Sequence, residues 1–277
     1  MRGVRHGIGA LLLIALLTVA ACAANAPVPG PPPPGASLVP PVPTVVAPPA
    51  PSSTVGAPDP VAGTTVVIDP GHNGGNAGSP AIDRPVPDGR GGTKPCNTTG
   101  ASTDAGYPEH AFAWAVSQRV AERLRAQGVR VVLTRDSDDG VGPCVDERGR
   151  AGQRAGADAV LSVHADGGPP SGSGFHVLYS SPAVDEAQRG PARSFADDAV
   201  AAMRAGGFTP ADYIGRGGLD PRDDIAGLNL ATVPSVLVEC ANLRNAGDAA
   251  TVRSPAGQDR YADALTDAVV RFLAGRR

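Results

Sequence analysis

The folded part of the chain is recognisable from the spacing of its apolar residues, which becomes regular after about residue 64. Short apolar runs such as TVVID (65–69) and PSVLVEC (234–240) are typical of buried strands. A four-residue spacing of apolar side chains in EHAFAWAVSQRVAERLRAQG (109–128) predicts an amphipathic helix. The remaining predicted elements are, in order, strand 129–135, helix 146–157, strand 158–166, strand 174–181, helix 192–206 and helix 254–275.

The alternation of short apolar strands with helices predicts an α/β fold, a single domain with a mostly parallel twisted sheet flanked by helices. In open sheets of this kind, functional side chains gather at the carboxyl ends of the strands. We therefore expect a site at that edge. Its candidate residues end or follow a predicted strand, or begin the first long helix, and they are His72, Glu109, His164 and Glu239.

Residues 1–26 have the pattern of an export signal, with basic residues before an apolar stretch that is too short for a membrane span. Two processing sites remain open. The sequence A-N-A at 24–26 fits simple cleavage, whereas V-A-A-C at 19–22 resembles a lipobox in which Cys22 would carry a lipid anchor. We expect an exported protein of the cell envelope, in the periplasm or cell wall, anchored by lipid to the outer face of the membrane if the lipobox is used.

The composition of the rest of the chain distinguishes a spacer from a folded domain. Residues 27–62 are rich in proline and nearly free of charge, which predicts a disordered, extended spacer. The folded domain is then predicted over 63–277. The net charge of −3 gives no electrostatic reason to expect nucleic-acid binding, and we expect a monomer.

The cysteines are informative because disulfides persist in an oxidising compartment. Cys96 and Cys144 both lie in stretches rich in glycine and proline, and we predict that they pair. Cys240 ends a predicted buried strand, so we expect it to be a free thiol in the core.

Two imidazoles and one carboxylate are a typical ligand set for a catalytic zinc ion with an open fourth position. A further carboxylate nearby could take a proton from water and deliver it to a leaving amine. Glu239 suits that role, because a carboxylate at the end of the apolar VLVE strand is costly to bury without one. His110 is predicted at the helix surface, and His176, in an alternating strand, is expected to face solvent or to pack.

Four blocks of the chain, in order, carry a resemblance to a known family: VVIDPGHNGG, PEHAFAWAVSQRVAERLRAQGVRVVLTR, ADAVLSVHADGG and VPSVLVECANLRNAGDA. Nearly all of residues 64–277 resembles the zinc-dependent N-acetylmuramoyl-L-alanine amidases, especially the actinobacterial and mycobacterial members. The resemblance implies that His72, Glu109 and His164 bind one Zn²⁺ and that Glu239 is the catalytic residue. It also implies the substrate, which is peptidoglycan or its muropeptides, cut between N-acetylmuramic acid and L-alanine.

Two other functions stay open at this point. A zinc peptidase that cuts within the stem peptide would use the same metal ligands, and only its products would differ. A non-catalytic peptidoglycan-binding lipoprotein could keep the same fold, although the presence of all four candidate residues argues against it.

Further candidate residues surround the site. Asp69 could orient the ring of His72. Asn242 and Arg244 could line the cleft. The interval 165–238 predicts one ordinary helix and no long insertion, so we expect an unblocked site.

Overall fold

The computed structural model describes Gly30 and residues 60–276, so the predictions for the export signal and for most of the spacer lie outside the described residues. The strands are, in chain order, β1 (Thr65–Pro70), β2 (Pro85–Pro87), β3 (Thr93–Pro95), β4 (Arg130–Leu133), β5 (Ala159–Asp166), β6 (His176–Ser180), β7 (Leu219–Arg222) and β8 (Ser235–Asn242). The α-helices are α1 (Glu109–Ala126), α2 (Val145–Gly149), α3 (Ala151–Ala155), α4 (Glu186–Arg189), α5 (Pro191–Ala205), α6 (Ala226–Asn229), α7 (Ala246–Arg253) and α8 (Pro255–Ala274).

Six of the strands form one sheet in the order β4-β1-β5-β8-β6-β7. The first four run parallel to one another, whereas β6 lies antiparallel to β8 and β7 runs parallel to β6. The predicted mostly parallel sheet flanked by helices is therefore confirmed. The reversal at β6 was not predicted, because an alternating run of apolar residues carries no information about strand direction.

The two faces of the sheet are covered differently. Helices α1, α5 and α8 pack against one face and against each other, and the main hydrophobic core lies between them and the sheet. The predicted apolar stripe of α1 is fully buried there. Among residues 60–276, the opposite face carries only the short helices α2, α3 and α6, which leaves its polar residues at the strand ends open to a cleft.

Two local differences from the predicted elements have physical reasons. The helix expected over 146–157 is divided into α2 and α3 at Arg150, in a stretch where Gly149 and Gly152 lower helix propensity. Val61, which we placed in the spacer, is fully buried in the main core, so folded structure extends ahead of residue 63. The division of the chain at 26 and 62 otherwise stays a prediction.

The interval 165–238 contains β6 and α5, which were predicted as strand 174–181 and helix 192–206, and the short elements α4, β7 and α6, which were not predicted. Its longest helix, α5, packs on α8 and contributes to the main core, so it lies away from the open face. Among the described residues, no helix is both long enough and apolar enough to cross a membrane.

The predicted disulfide between Cys96 and Cys144 is present and spans 48 residues of sequence. The two cysteines form a small apolar cluster with Val86 and Val145, which fastens the long loop after β1 to the start of α2. Cys240 is a buried free cysteine, as predicted.

Candidate metal centre

His72 stands directly beyond the end of β1, in a turn with an unusual backbone. Its φ of 57° makes it the one described residue other than glycine with a positive φ. The residue before it must be glycine, because a Cβ on Gly71 would overlap the ring of His164. The sharp turn therefore places the His72 side chain beside His164 rather than along the strand.

The peptide groups around His72 are held by two buried arginines. Arg148 donates to the carbonyl oxygens of Pro70 and His72 at 2.7 and 2.8 Å. Arg135 donates to the carbonyl oxygens of Pro70 and Gly71 at 3.0 and 3.2 Å. Three successive carbonyl groups are thus satisfied by guanidinium groups, which stabilises the left-handed conformation of His72.

Asp69 does not orient the His72 ring, contrary to our expectation. Its carboxylate instead accepts hydrogen bonds from Arg148, Thr134 and Ser162, at 2.6 to 2.7 Å. The ring of His72 is oriented by Thr98, whose carbonyl oxygen lies 3.1 Å from Nδ1, so that Nε2 faces the site. Thr98 lies in the long loop, where no sequence pattern indicated it.

Glu109 is the first residue of α1, and its buried carboxylate points back at the sheet edge. Oε1 lies 2.8 Å from Nδ1 of His164 and 3.1 Å from Nε2 of His72. Oε2 accepts a hydrogen bond from the backbone N–H of Ala101 at 2.8 Å, which fixes the carboxylate. His110, the next residue, is half-buried and bonded to Asp138 at 2.7 Å rather than exposed.

The structure brings His72, Glu109 and His164 together, with one ligand atom of each inside a span of 4.8 Å. The two imidazole rings meet edge to face with centroids 4.9 Å apart. Two imidazoles and a carboxylate converging from three elements fit a single transition-metal ion and leave a coordination position open. The donor set therefore fits zinc.

The charges in this triad favour a deprotonated carboxylate. Burial alone would raise the pKa of Glu109, but the charge of His72 and hydrogen bonds from both histidines lower it instead. Burial alone would lower the pKa of His72, and the Glu109 carboxylate raises it. A metal ion must therefore compete with protons for His72, so we expect binding to weaken in acid.

Glu239 lies within β8, between buried residues on both sides, and directly beside His164 of β5 in the parallel register. The residue is half-buried, and its Oε2 is enclosed without a hydrogen-bond partner among the described residues. Burial raises the pKa of this carboxyl well above its usual range, and the carboxylates of Glu109 and Asp166 raise it further. Glu239 is thus a carboxyl group held close to the triad but outside it.

His176 is the residue of the site that sequence reasoning missed. We expected it to face solvent or to pack, and it is packed, with 2% of its surface exposed; its place in the lining of the same cavity as the triad and Glu239 was not predicted. Alternation along β6 placed it on one face of the sheet, but nothing in the sequence said which face.

The cavity measures about 500 Å³ and lies at the carboxyl edge of β1, β5 and β8. Its outer walls are the loop 94–101 and the region of α6. Asn242 and Arg244 do not line it: Asn242 donates to the carbonyl oxygens of Pro169 and Gly172, and Arg244 pairs with Asp104.

An α/β domain with an His–Glu–His donor set and an adjacent carboxyl at the strand ends is typical of hydrolases that use a single metal ion. The profile of the N-acetylmuramoyl-L-alanine amidase family, Amidase_3, matches residues 66–271, and the chain belongs to this family.

Two mycobacterial relatives illustrate the similarity. The chain is 49% identical over 223 residues to the N-acetylmuramoyl-L-alanine amidase Rv3717 of Mycobacterium tuberculosis, covering 80% of this chain and 92% of the relative. The crystal structure of the N-acetylmuramyl-L-alanine amidase Ami1 from Mycobacterium smegmatis superimposes with a TM-score of 0.76 at 52% identity, covering 78% of this chain and 99% of the other.

A third similarity is to another mycobacterial structure. The apo form of Ami1 from Mycobacterium abscessus has a TM-score of 0.75 at 49% identity, and the match covers 77% of this chain and all of the other, 100%. The family and the enzyme class that the resemblance implied are therefore confirmed.

Proposed function

We propose that this protein hydrolyses the amide bond between N-acetylmuramic acid and the L-alanine of the peptidoglycan stem peptide. The convergence of His72, Glu109 and His164 beside a fourth acidic residue, Glu239, carries the proposal. Membership of the amidase family supports the choice of bond.

The three ligands would hold a zinc ion, which when bound supplies a polarised carbonyl and an acidified water molecule. The chain's own residues prepare that site. Thr98 holds the His72 ring through Nδ1, and the backbone N–H of Ala101 holds Glu109 through Oε2, so that the remaining atoms face one point. This preorganisation lowers the entropy lost when the ion is bound.

Glu239 is the proposed general base and acid. Its carboxylate would take a proton from the attacking water and pass it to the nitrogen of the departing L-alanine. Burial raises the pKa of the Glu239 carboxyl, so its carboxylate binds a proton more tightly than that of a solvated glutamate.

The substitution Glu239→Gln tests this role. It keeps the size of the side chain but removes the proton acceptor, so turnover should fall by about 10²–10⁴-fold with the zinc content unchanged. The measurement is the rate of muropeptide cleavage together with the zinc-to-protein ratio. Glu122→Gln, an exposed position on α1, is the matched control and should keep full activity. An active, zinc-loaded Glu239→Gln variant would remove Glu239 from the reaction.

Product analysis tests the function itself. The purified protein is incubated with a defined disaccharide-peptide muropeptide, with and without a zinc chelator, and the products are identified by mass spectrometry. We expect an intact stem peptide with a free L-alanine amine, lost with chelator and restored by zinc. Fragments of the peptide would favour a zinc peptidase, and no cleavage by the zinc-loaded protein would favour a peptidoglycan-binding protein.

Export to the cell envelope is the second part of the proposal, supported by the signal-like residues 1–26 and by the cell-wall amidases among the relatives. The two processing routes differ in the mature N-terminus. Lipidation at Cys22 would give a fatty-acylated protein that loses its acyl label in Cys22→Ser, whereas cleavage after 24–26 would give an unmodified chain. The intact mass of the mature protein distinguishes them.

A further inference from the structure

Three neighbouring strands carry a row of polar side chains on the open face of the sheet. His164 of β5 pairs with Glu239 of β8 in the parallel register, and His176 of β6 pairs with the same Glu239 in the antiparallel register. Paired residues point to the same face, and adjacent strands lie about 4.8 Å apart. Glu239 therefore stands between two histidines, of which only His164 belongs to the metal triad.

His176 has no structural role that explains an imidazole at this position. The side chain is almost fully buried, and its Nδ1 has no hydrogen-bond partner among the described residues. Its close neighbour Tyr213 meets the ring edge-on at 6.1 Å and gives its own hydroxyl hydrogen to Asp166. Burying an unpaired ring nitrogen is unfavourable, and an apolar side chain would fill the same space more stably.

The burial pattern also indicates which nitrogen of His176 carries the proton. A buried N–H without an acceptor is rarer in proteins than an unpaired lone pair, so Nδ1 is expected to be the unprotonated nitrogen. Nε2 then carries the hydrogen and is the nitrogen available to a ligand in the cavity that His176 lines. Burial lowers the pKa of His176, against the opposing charges of Asp166 and Asp220, which favours this neutral form.

We propose that His176 is a second catalytic residue, which donates a hydrogen bond from Nε2 to the carbonyl oxygen of the scissile amide as that oxygen gains negative charge. The inference rests on the proposed function. His176 and His164 lie on opposite sides of Glu239. The reacting amide would therefore lie over Glu239, with its carbonyl oxygen on the side of His176. No proton is transferred in this step, because the imidazole keeps its hydrogen while the bond strengthens.

The test compares His176→Ala and His176→Gln with the wild-type protein in its zinc-loaded form. Loss of a donor that acts on a developing oxyanion should lower kcat by about 10²–10³-fold while KM changes little. Gln can place an amide N–H near the position of Nε2, so His176→Gln should recover a large part of the lost kcat. Zinc affinity, measured by competition with a chromophoric chelator, should stay unchanged in both variants.

A matched control separates catalysis from damage to the strand. Tyr179→Phe removes a polar group from the same strand at a half-buried position, where the Tyr179 hydroxyl contacts Arg193. This variant should keep the wild-type kcat.

The inference would be overturned if kcat of His176→Ala fell by less than about 5-fold, well below the loss expected for an oxyanion donor. It would also be overturned if the fall in kcat were accompanied by a parallel fall in zinc affinity or melting temperature and His176→Gln recovered none of the lost kcat. The wild-type protein is assayed first for release of a stem peptide with a free L-alanine amine. If it releases none, the proposed function fails, and this result is distinct from a failure of the role of His176.

Discussion

At the scale of single residues, the site depends on a histidine in a conformation that glycine normally adopts. A positive φ costs a residue such as His72 about 1–3 kcal/mol, and such strain persists only where the surroundings enforce it. Here Arg135 and Arg148 enforce it through three consecutive carbonyl groups, and Asp69 in turn holds Arg148. The geometry of the ligand is thus set by residues that do not belong to the metal donor set.

Asp69 should make the stability of the protein depend on acid. Burial would raise the pKa of Asp69, but Arg148, Thr134 and Ser162 lower it from 3.8 to about 2. A depressed pKa in the folded state adds stability above about pH 4 that is lost as the pH falls towards 2. Asp69→Asn should therefore lower the free energy of unfolding by at least about 2 kcal/mol at neutral pH, with the difference from wild type shrinking below pH 4.

Denaturant unfolding of the chelator-treated protein at several pH values measures this effect. Asp263→Asn, which removes an exposed partner of Arg123, should change the free energy of unfolding by less than about 1 kcal/mol. If the difference between wild type and Asp69→Asn did not depend on pH, the buried pair would not be ionised as we describe.

Gly71 is the second residue on which the ligand geometry depends. A methyl group there would overlap the ring of His164, so Gly71→Ala must displace a metal ligand. We expect zinc affinity to fall by about 10–100-fold, which chelator competition would measure. Gly190→Ala, at a position with open space around it, should bind zinc as the wild type does. Equal zinc affinity in both variants would show that His164 can be displaced without weakening zinc binding.

At the scale of elements, direction and pairing of strands decide which side chains meet, and here the sequence is only partly informative. The strands β1, β5 and β8 were predicted as members of a mostly parallel sheet, although their order was not, and their carboxyl ends bring His72, His164 and Glu239 together. The reversal of β6 depends on long-range packing, and it places His176 opposite Glu239. The ring support from Thr98 depends on a loop that has no periodic pattern.

The disulfide fixes the loop that contains Thr98 to the start of α2. Closing a loop of 48 residues should stabilise the protein by about 4 kcal/mol in the chain-entropy model. Cys96→Ser combined with Cys144→Ser should therefore lower the free energy of unfolding by up to about that amount. Reductant should destabilise the wild type similarly and leave the double variant unchanged. A wild-type protein that is insensitive to reductant while the bond is demonstrably broken would contradict this.

At the scale of the whole molecule, the fold class was predicted from the helical spacing of apolar residues, from the alternation of residues along strands, and from short apolar runs. The α1 stripe and the terminal helix α8 lie where their spacing predicted, because a buried helix face must be continuous. The two-stranded β2–β3 ribbon, β7 and the split of α2 from α3 were not predictable, since each is too short for its period to be read.

The residues that stabilise the fold and the residues of the candidate site lie on opposite faces of the sheet. One face of the sheet holds the main core under α1, α5 and α8, and the other holds the cleft with its metal ligands, Glu239 and His176. Substitutions in the first layer are expected to act on folding, and those in the second on metal binding or turnover.

This cleft is proposed to cut the bond between the lactyl group of N-acetylmuramic acid and L-alanine. Hydrolysis of a defined muropeptide in water enriched in the heavy oxygen isotope tests it directly, because the isotope marks the carbonyl that was attacked. We predict one heavy oxygen in the lactyl carboxylate, none in the released peptide, and incorporation slowed by about 10²–10⁴-fold with Glu239→Gln. Heavy oxygen in a carboxylate of the stem peptide would contradict it.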